Sequence, residues 1–219
     1  MDGRSLLLGN SNWVIADRTA RLRNRLDEFG NVFEFVTSVF DQDISIDVRA
    51  HKRVLSELYE QIMSSQREWH SKVALELPAA DYPEPSIYWN LGDAVGEVLN
   101  RQQVTNLLRT SDDDTLRPTL YGDFVRPLCL PVGANRAGQV QALFEEWVDT
   151  IGLADQDDIQ VLNWVNQSLM KAQQGNAGTL LWTDFFGPDP LFSHAWCLTV
   201  WNPLRRTISA LAACSTIRG

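Results

Sequence analysis

Cysteine, histidine and lysine are scarce in this chain. Its 219 residues hold three cysteines, Cys129, Cys197 and Cys214, far apart and odd in number. No CxxC or other metal-ligand spacing joins them, which argues against a zinc module and against a disulfide framework. The expectation is reduced thiols in core or boundary positions of a protein kept in a reducing compartment. The three histidines, His51, His70 and His194, are scattered and form no HExxH motif, so no metal site is expected. The glycine-flanked stretch 133–138 lacks both the GxGxxG spacing and the Lys-Ser/Thr of a phosphate loop, so no nucleotide or other cofactor is expected. No run approaches the ~18 apolar residues of a membrane span. The leading Leu6-Leu7-Leu8, preceded by Arg4, is too short for a secretory signal. These absences point to a soluble protein, cytoplasmic or held within an assembled particle.

Negative charge is plentiful but local. The net charge is −9, and residues 73–177 carry fifteen acidic side chains against six basic ones. A field of that sign repels phosphate backbones, so general nucleic-acid binding is not expected. Arginine outnumbers lysine sixteen to three. On a helix following Asp17, Arg18, Arg21 and Arg25 share a face, with Arg23 nearby. This pattern reads either as a patch for an acidic partner or as a solvated face balanced by Asp27 and Glu28. The hydrophobic share of 44% and charged share of 21% place the chain among globular proteins able to bury a full core.

Hydrophobic periodicity predicts helices over 17–29, 44–77, 87–110, 135–151 and 155–174, with 31–40 also leaning to helix. The 44–77 helix is capped by Asp43 or Ser45, and Val48, Leu55, Ile62 and Trp69 recur along its buried stripe. In 135–151 the buried face is Val140, Leu143, Phe144, Trp147, Val148 and Ile151, and Gly152 ends the helix. Prolines 78, 83 and 85 make 78–86 a stiff connector. It separates an N-terminal helical region, 1–77, from a second region, 87–219, within what reads as one unit. Prolines and glycines break 116–133 into strands or loop. Strands are predicted at 179–182 and 195–201, and 207–217 reads equally as strand or helix. The fold expectation is α+β and mainly α: about five substantial helices with a small β-rich C-terminal portion.

The richest aromatic stretch is 178–203, with three of the eight tryptophans and three of the nine phenylalanines. Its loop 183–193 is long and apolar for plain solvent exposure. Aromatic side chains are favoured interface anchors, so Trp182, Phe185, Phe186, Phe192, Trp196 and Trp201 are the candidate interface residues. The competing reading places them in the chain's own core. Ser193, His194, Cys197, Asp184 and Asp189 are close in sequence, but no nucleophile elbow surrounds them, so no catalytic residues are assigned. The resulting expectation is a non-enzymatic interaction or structural subunit of a larger assembly, such as a viral or phage particle or a multisubunit complex. Its partners would be other proteins or further copies of itself. The alternatives are a small cytoplasmic enzyme with a site near His194, and an acidic inhibitor or immunity protein that binds a basic partner.

Overall fold

Both faces of a five-stranded antiparallel sheet carry apolar side chains, and helices cover both. The computed structural model describes residues 3–28, 33–40, 46–75, 84–110, 119–125, 136–154, 158–165, 182–186 and 192–216, excepting the side chains of 3–13, 136–137, 192–194 and 215–216. Among these, the order along the chain is α1 (Gly3–Glu28), β1 (Glu34–Val39), α2 (Val48–Val73), β2 (Glu97–Leu99), α3 (Arg101–Leu107), α4 (Leu120–Val125), α5 (Arg136–Thr150), β3 (Gln160–Asn163), β4 (Phe192–Asn202) and β5 (Thr207–Thr216). The strand order is β1-β5-β4-β3-β2. A tight β4–β5 hairpin forms the middle of the sheet, and β1 is one of its two edges.

This architecture corrects the expectation of a mainly helical protein with a small β-rich C-terminal portion. The sheet is large, draws strands from the whole chain and organises the helices around it. The errors at β1 and β3 share one physical cause. A strand buried on both faces is apolar without alternation, and then looks like a helix segment. Residues 31–40 leaned to helix, yet 34–39 is β1, paired with β5 from Glu34 opposite Ala212 to Val39 opposite Thr207. Phe33 and Phe35 pack with one core, and Phe40 with the other. Within the predicted 155–174 helix lies β3, whose adjacent Val161 and Leu162 are buried on opposite faces. The predicted 87–110 helix is instead an extended segment, then β2, then α3, which opens on an Asn100–Gln103 capping box. Gly96 lies in that extended segment because a Cβ there would come within 2.9 Å of Leu162 Cδ2. Residues 207–216 are strand, and 120–125 form a helix where strand or loop was expected.

On one face, α1, α4 and α5 press Leu22, Leu26, Leu120, Phe124, Leu143 and Trp147 onto Phe35, Leu198, Val200 and Leu211. The six predicted core residues of α5 and its end are all buried, and Gly152 follows with φ 77° as the helix stop. On the other face, α2 packs Val54, Leu55, Leu58 and Ile62 on Cys197, Ile208, Ala210 and Ala212. Helix α2 is capped by Asp47, whose carboxylate accepts from the N–H groups of Arg49 and Ala50. Only half of its predicted stripe is buried. Val48 and Trp69 are 51% and 58% exposed, because the sheet contacts only the middle of this long helix.

A polar cluster sits inside the α2 face. Thr199 Oγ1 accepts from Trp164 Nε1 at 2.8 Å and lies 2.8 Å from His51 Nδ1. His51 is 1% exposed, and no hydrogen-bond partner reaches its Nε2 among the described residues. Burial lowers the imidazole pKa from its ordinary value, against the opposing pull of the Gln160 carboxamide and the Asp47 carboxylate. The unfolded chain therefore takes a proton on His51 before the folded chain does. Stability is expected to be full above pH ~6.5 and to fall as pH drops below it, until the folded pKa is reached. Urea unfolding between pH 7.5 and 5 checks this. A His51→Gln chain should lose that part of the pH dependence, and an unchanged slope would assign it to other groups.

Candidate functional site

Sheet edges are where an unpaired ladder can be read by another chain. The two edges here differ. β2 is three residues long, and short edges recruit poorly. β1 is six residues long and lies at the floor of a groove between α1 and α2. The groove encloses about 400 Å³ and is lined by Ala16, Thr19 and Arg23 from α1, Val36, Thr37 and Ser38 from β1, and Glu57, Glu60, Gln61 and Ser64 from α2.

The register fixes which main-chain groups of β1 face this groove. The Phe40 N–H donates to the Arg206 carbonyl at 2.8 Å, so position 40 is a hydrogen-bonded position facing β5. In an antiparallel ladder this orientation alternates. Positions 38, 36 and 34 therefore also bond to β5, and the N–H and C=O groups of Phe35, Thr37 and Val39 point away from it. The Thr37 side chain is occupied separately, its hydroxyl 2.9 Å from that of Ser209.

The groove walls hold polar groups in an unusual state. Thr19 is 4% exposed, and neither its Oγ1 nor Arg23 Nη1 has a hydrogen-bond partner among the described residues. A buried polar group left unpaired costs about 1–3 kcal/mol. The two lie one turn apart on α1, beneath the groove wall. Burial holds the Arg23 pKa below its ordinary value, while Glu34 and Asp27 pull it back up. Glu34, on the strand below, is pushed up by burial and by Asp27, with Arg23 and the Ser65 hydroxyl opposing. Across the groove, Ser38 Oγ donates to the Glu57 carboxylate, which also lies 3.4 Å from Arg53 in an exposed pair.

The arginine stripe of α1 resolves into two sets. Arg18 pairs with Asp149 at 2.7 Å and Arg25 with Glu146 at 2.6 Å, fastening α1 to α5, and Arg21 pairs with Asp17. Asp149 also receives Arg205 from the β4–β5 hairpin. Only Arg23 turns toward the β1 edge. Sequence reasoning noted it as a neighbour of the stripe. The signal that singles it out is the helical spacing of Ala16, Thr19 and Arg23, a face separate from both the core stripe and the Arg18/Arg25 face.

The aromatic candidates fall elsewhere. Trp182, Phe186 and Trp196 are 3%, 2% and 6% exposed and fill this chain's own core. Phe185 and Trp201 are partly buried against the α2-side core. Trp89 joins them, stacked on Tyr59 and edge-on to Trp182. The side chains of Phe192 and His194 lie outside the described residues. Around them, Cys197 is fully buried, and burial drives its thiol pKa far above the ordinary range. The half-buried Cys214 thiol is pushed up to about 11. Neither thiol is a ready thiolate. Asp184 is occupied in accepting the Tyr88 N–H at 2.8 Å. Among the described residues no three His, Cys, Asp or Glu side chains gather as metal ligands, and no helix is long and apolar enough to cross a membrane. Of the other sequence features, the acidic run 112–114, residues 133–135 of the glycine-flanked stretch, Cys129 and most of the proline connector lie outside the described residues, and 136–138 begin α5.

Comparison with protein-family models, with curated protein sequences and with solved structures finds no match in any of the three.

Proposed function

We propose that this chain is a protein-binding subunit that takes up an extended segment of another chain along β1, as a sixth strand of its sheet. The observation that carries the reading is the open edge itself. Phe35, Thr37 and Val39 turn their main-chain donors and acceptors toward the groove between α1 and α2. Strand addition supplies main-chain hydrogen bonds along the edge and leaves specificity to alternate side chains. Among the described residues that line the groove no histidine stands beside a nucleophile, so the enzyme reading finds no support there. Capture of a neighbour's strand is also how a subunit of a larger assembly would be held in place.

Proline substitution tests the reading. At an edge strand, proline is tolerated where the N–H faces outward. Thr37→Pro removes an outward N–H and spares the ladder to β5, at the cost of the Thr37–Ser209 hydrogen bond, about 0.5–1.5 kcal/mol. Ser38→Pro removes a ladder N–H and should destabilise the fold more. Extended peptides selected from a displayed random heptapeptide library on the unmodified chain are expected to bind Thr37→Pro at least tenfold more weakly, with circular dichroism unchanged. Equal binding to both chains would place recognition elsewhere.

A further inference from the structure

The charges around the groove say what kind of segment fits. Among the described residues that line it Arg23 is the one cation, and it already faces Glu34 and Asp27. A carboxylate brought to Arg23 would meet both of those acids, and Glu57 and Glu60 across the groove. A neutral main-chain carbonyl would meet no such repulsion. On the α2 wall, Glu60 is exposed and has no hydrogen-bond or ion-pair partner among the described residues, and Glu57 accepts from Ser38 Oγ and shares an exposed contact with Arg53. Side chains of an added strand alternate between the two walls. One set falls against Glu57 and Glu60, and the other against Ala16, Thr19 and the cation of Arg23.

We infer that the captured segment is basic with a period of two: lysine or arginine at alternate positions toward α2, and uncharged residues toward α1. The inference rests on strand addition at β1 and adds the chemistry of the partner. The chain's net charge of −9 would further draw a basic segment in from solution.

Three labelled heptapeptides test it by fluorescence anisotropy: Lys-Ser-Lys-Ser-Lys-Ser-Lys, the same peptide with glutamine for lysine, and the same with glutamate. The basic peptide is expected to bind at least tenfold more tightly than the glutamine peptide at low salt. Its lead should shrink as salt rises. A Glu57→Gln/Glu60→Gln chain, which can still accept the Ser38 hydrogen bond, should lose most of that lead. Equal or better binding of the glutamine or glutamate peptide, still abolished by Thr37→Pro, would overturn the basic preference and leave strand capture standing. An unchanged lead in the double variant would do the same. Basic-peptide binding indifferent to Thr37→Pro, or binding by none of the three, would overturn both.

Discussion

Replacing Trp147 with alanine is expected to cost about 3–5 kcal/mol, the range for emptying an aromatic site in a packed core. Domains of ordinary stability hold only about 5–15 kcal/mol in all. Trp147 is fully buried in α5 and sits at the centre of the sheet's α1-side core. Its ring lies 5.1 Å from Phe33, 5.2 Å from Phe124, 5.9 Å from Phe144 and 6.4 Å from Phe35, joining α5, α4 and β1. The cavity left by alanine has rigid strands on one side and two helices on the other, so it collapses poorly. Trp147→Phe should cost much less. It keeps most of the ring contacts and deletes Nε1, which has no hydrogen-bond partner among the described residues. Urea midpoints at constant m-value measure both changes. An alanine variant within 1 kcal/mol of the parent, on the order of a surface substitution, would show that this cluster is not the core.

The second large effect is expected at Trp196. Its Nε1 donates to Asp123 Oδ2 at 2.7 Å, where Asp123 is 1% exposed. The bond ties the central strand β4 to the short helix α4. Trp196→Phe removes this donor from a buried carboxyl and should cost about 1.5–3 kcal/mol, the scale of hydrogen bonds to charged groups, plus a cavity term. The cost is expected to be non-additive with Asp123→Leu. Once the carboxyl is gone, the tryptophan N–H has less to lose, so the double variant should be more stable than the sum of the singles implies. Strict additivity would mean that the two side chains do not depend on each other.

These two sites also show what the sequence could and could not disclose. Helix α5 was legible because its one buried face repeats at helical spacing between polar neighbours. The middle of α2 was legible for the same reason, although Val48 and Trp69 extended the stripe past the sheet. Strands β1 and β3 were not legible. Val161 and Leu162 are adjacent and both buried because helices or packed segments cover both sides of the sheet. The aromatic segment was correctly seen as too apolar for solvent. Trp182, Phe186 and Trp196 are buried, and they are buried by this chain's own α2-side and α1-side cores.

The candidate site was nearly invisible for a different reason. It consists of main-chain groups of an edge strand, which have no residue signature. Its side chains, Thr19, Arg23, Glu57 and Glu60, are ordinary residues of charged helix faces. In sequence Arg23 differs from Arg18, Arg21 and Arg25 only in the helical face it shares with Ala16 and Thr19. The tertiary pairing of Arg18 with Asp149 and of Arg25 with Glu146, and the absence of any hydrogen-bond partner for Arg23 Nη1 among the described residues, can be seen only after the chain has folded.

Amide hydrogen exchange of the free chain tests the open edge most directly. The Phe35, Thr37 and Val39 amides face the groove, while those of Val36 and Ser38 are bonded to β5. Alternating protection is therefore predicted along this one strand, with the outward amides exchanging at least about tenfold faster than the inward ones. Uniform protection from Phe35 to Val39 would contradict the account, because it would mean that the edge is already covered and has no strand to receive.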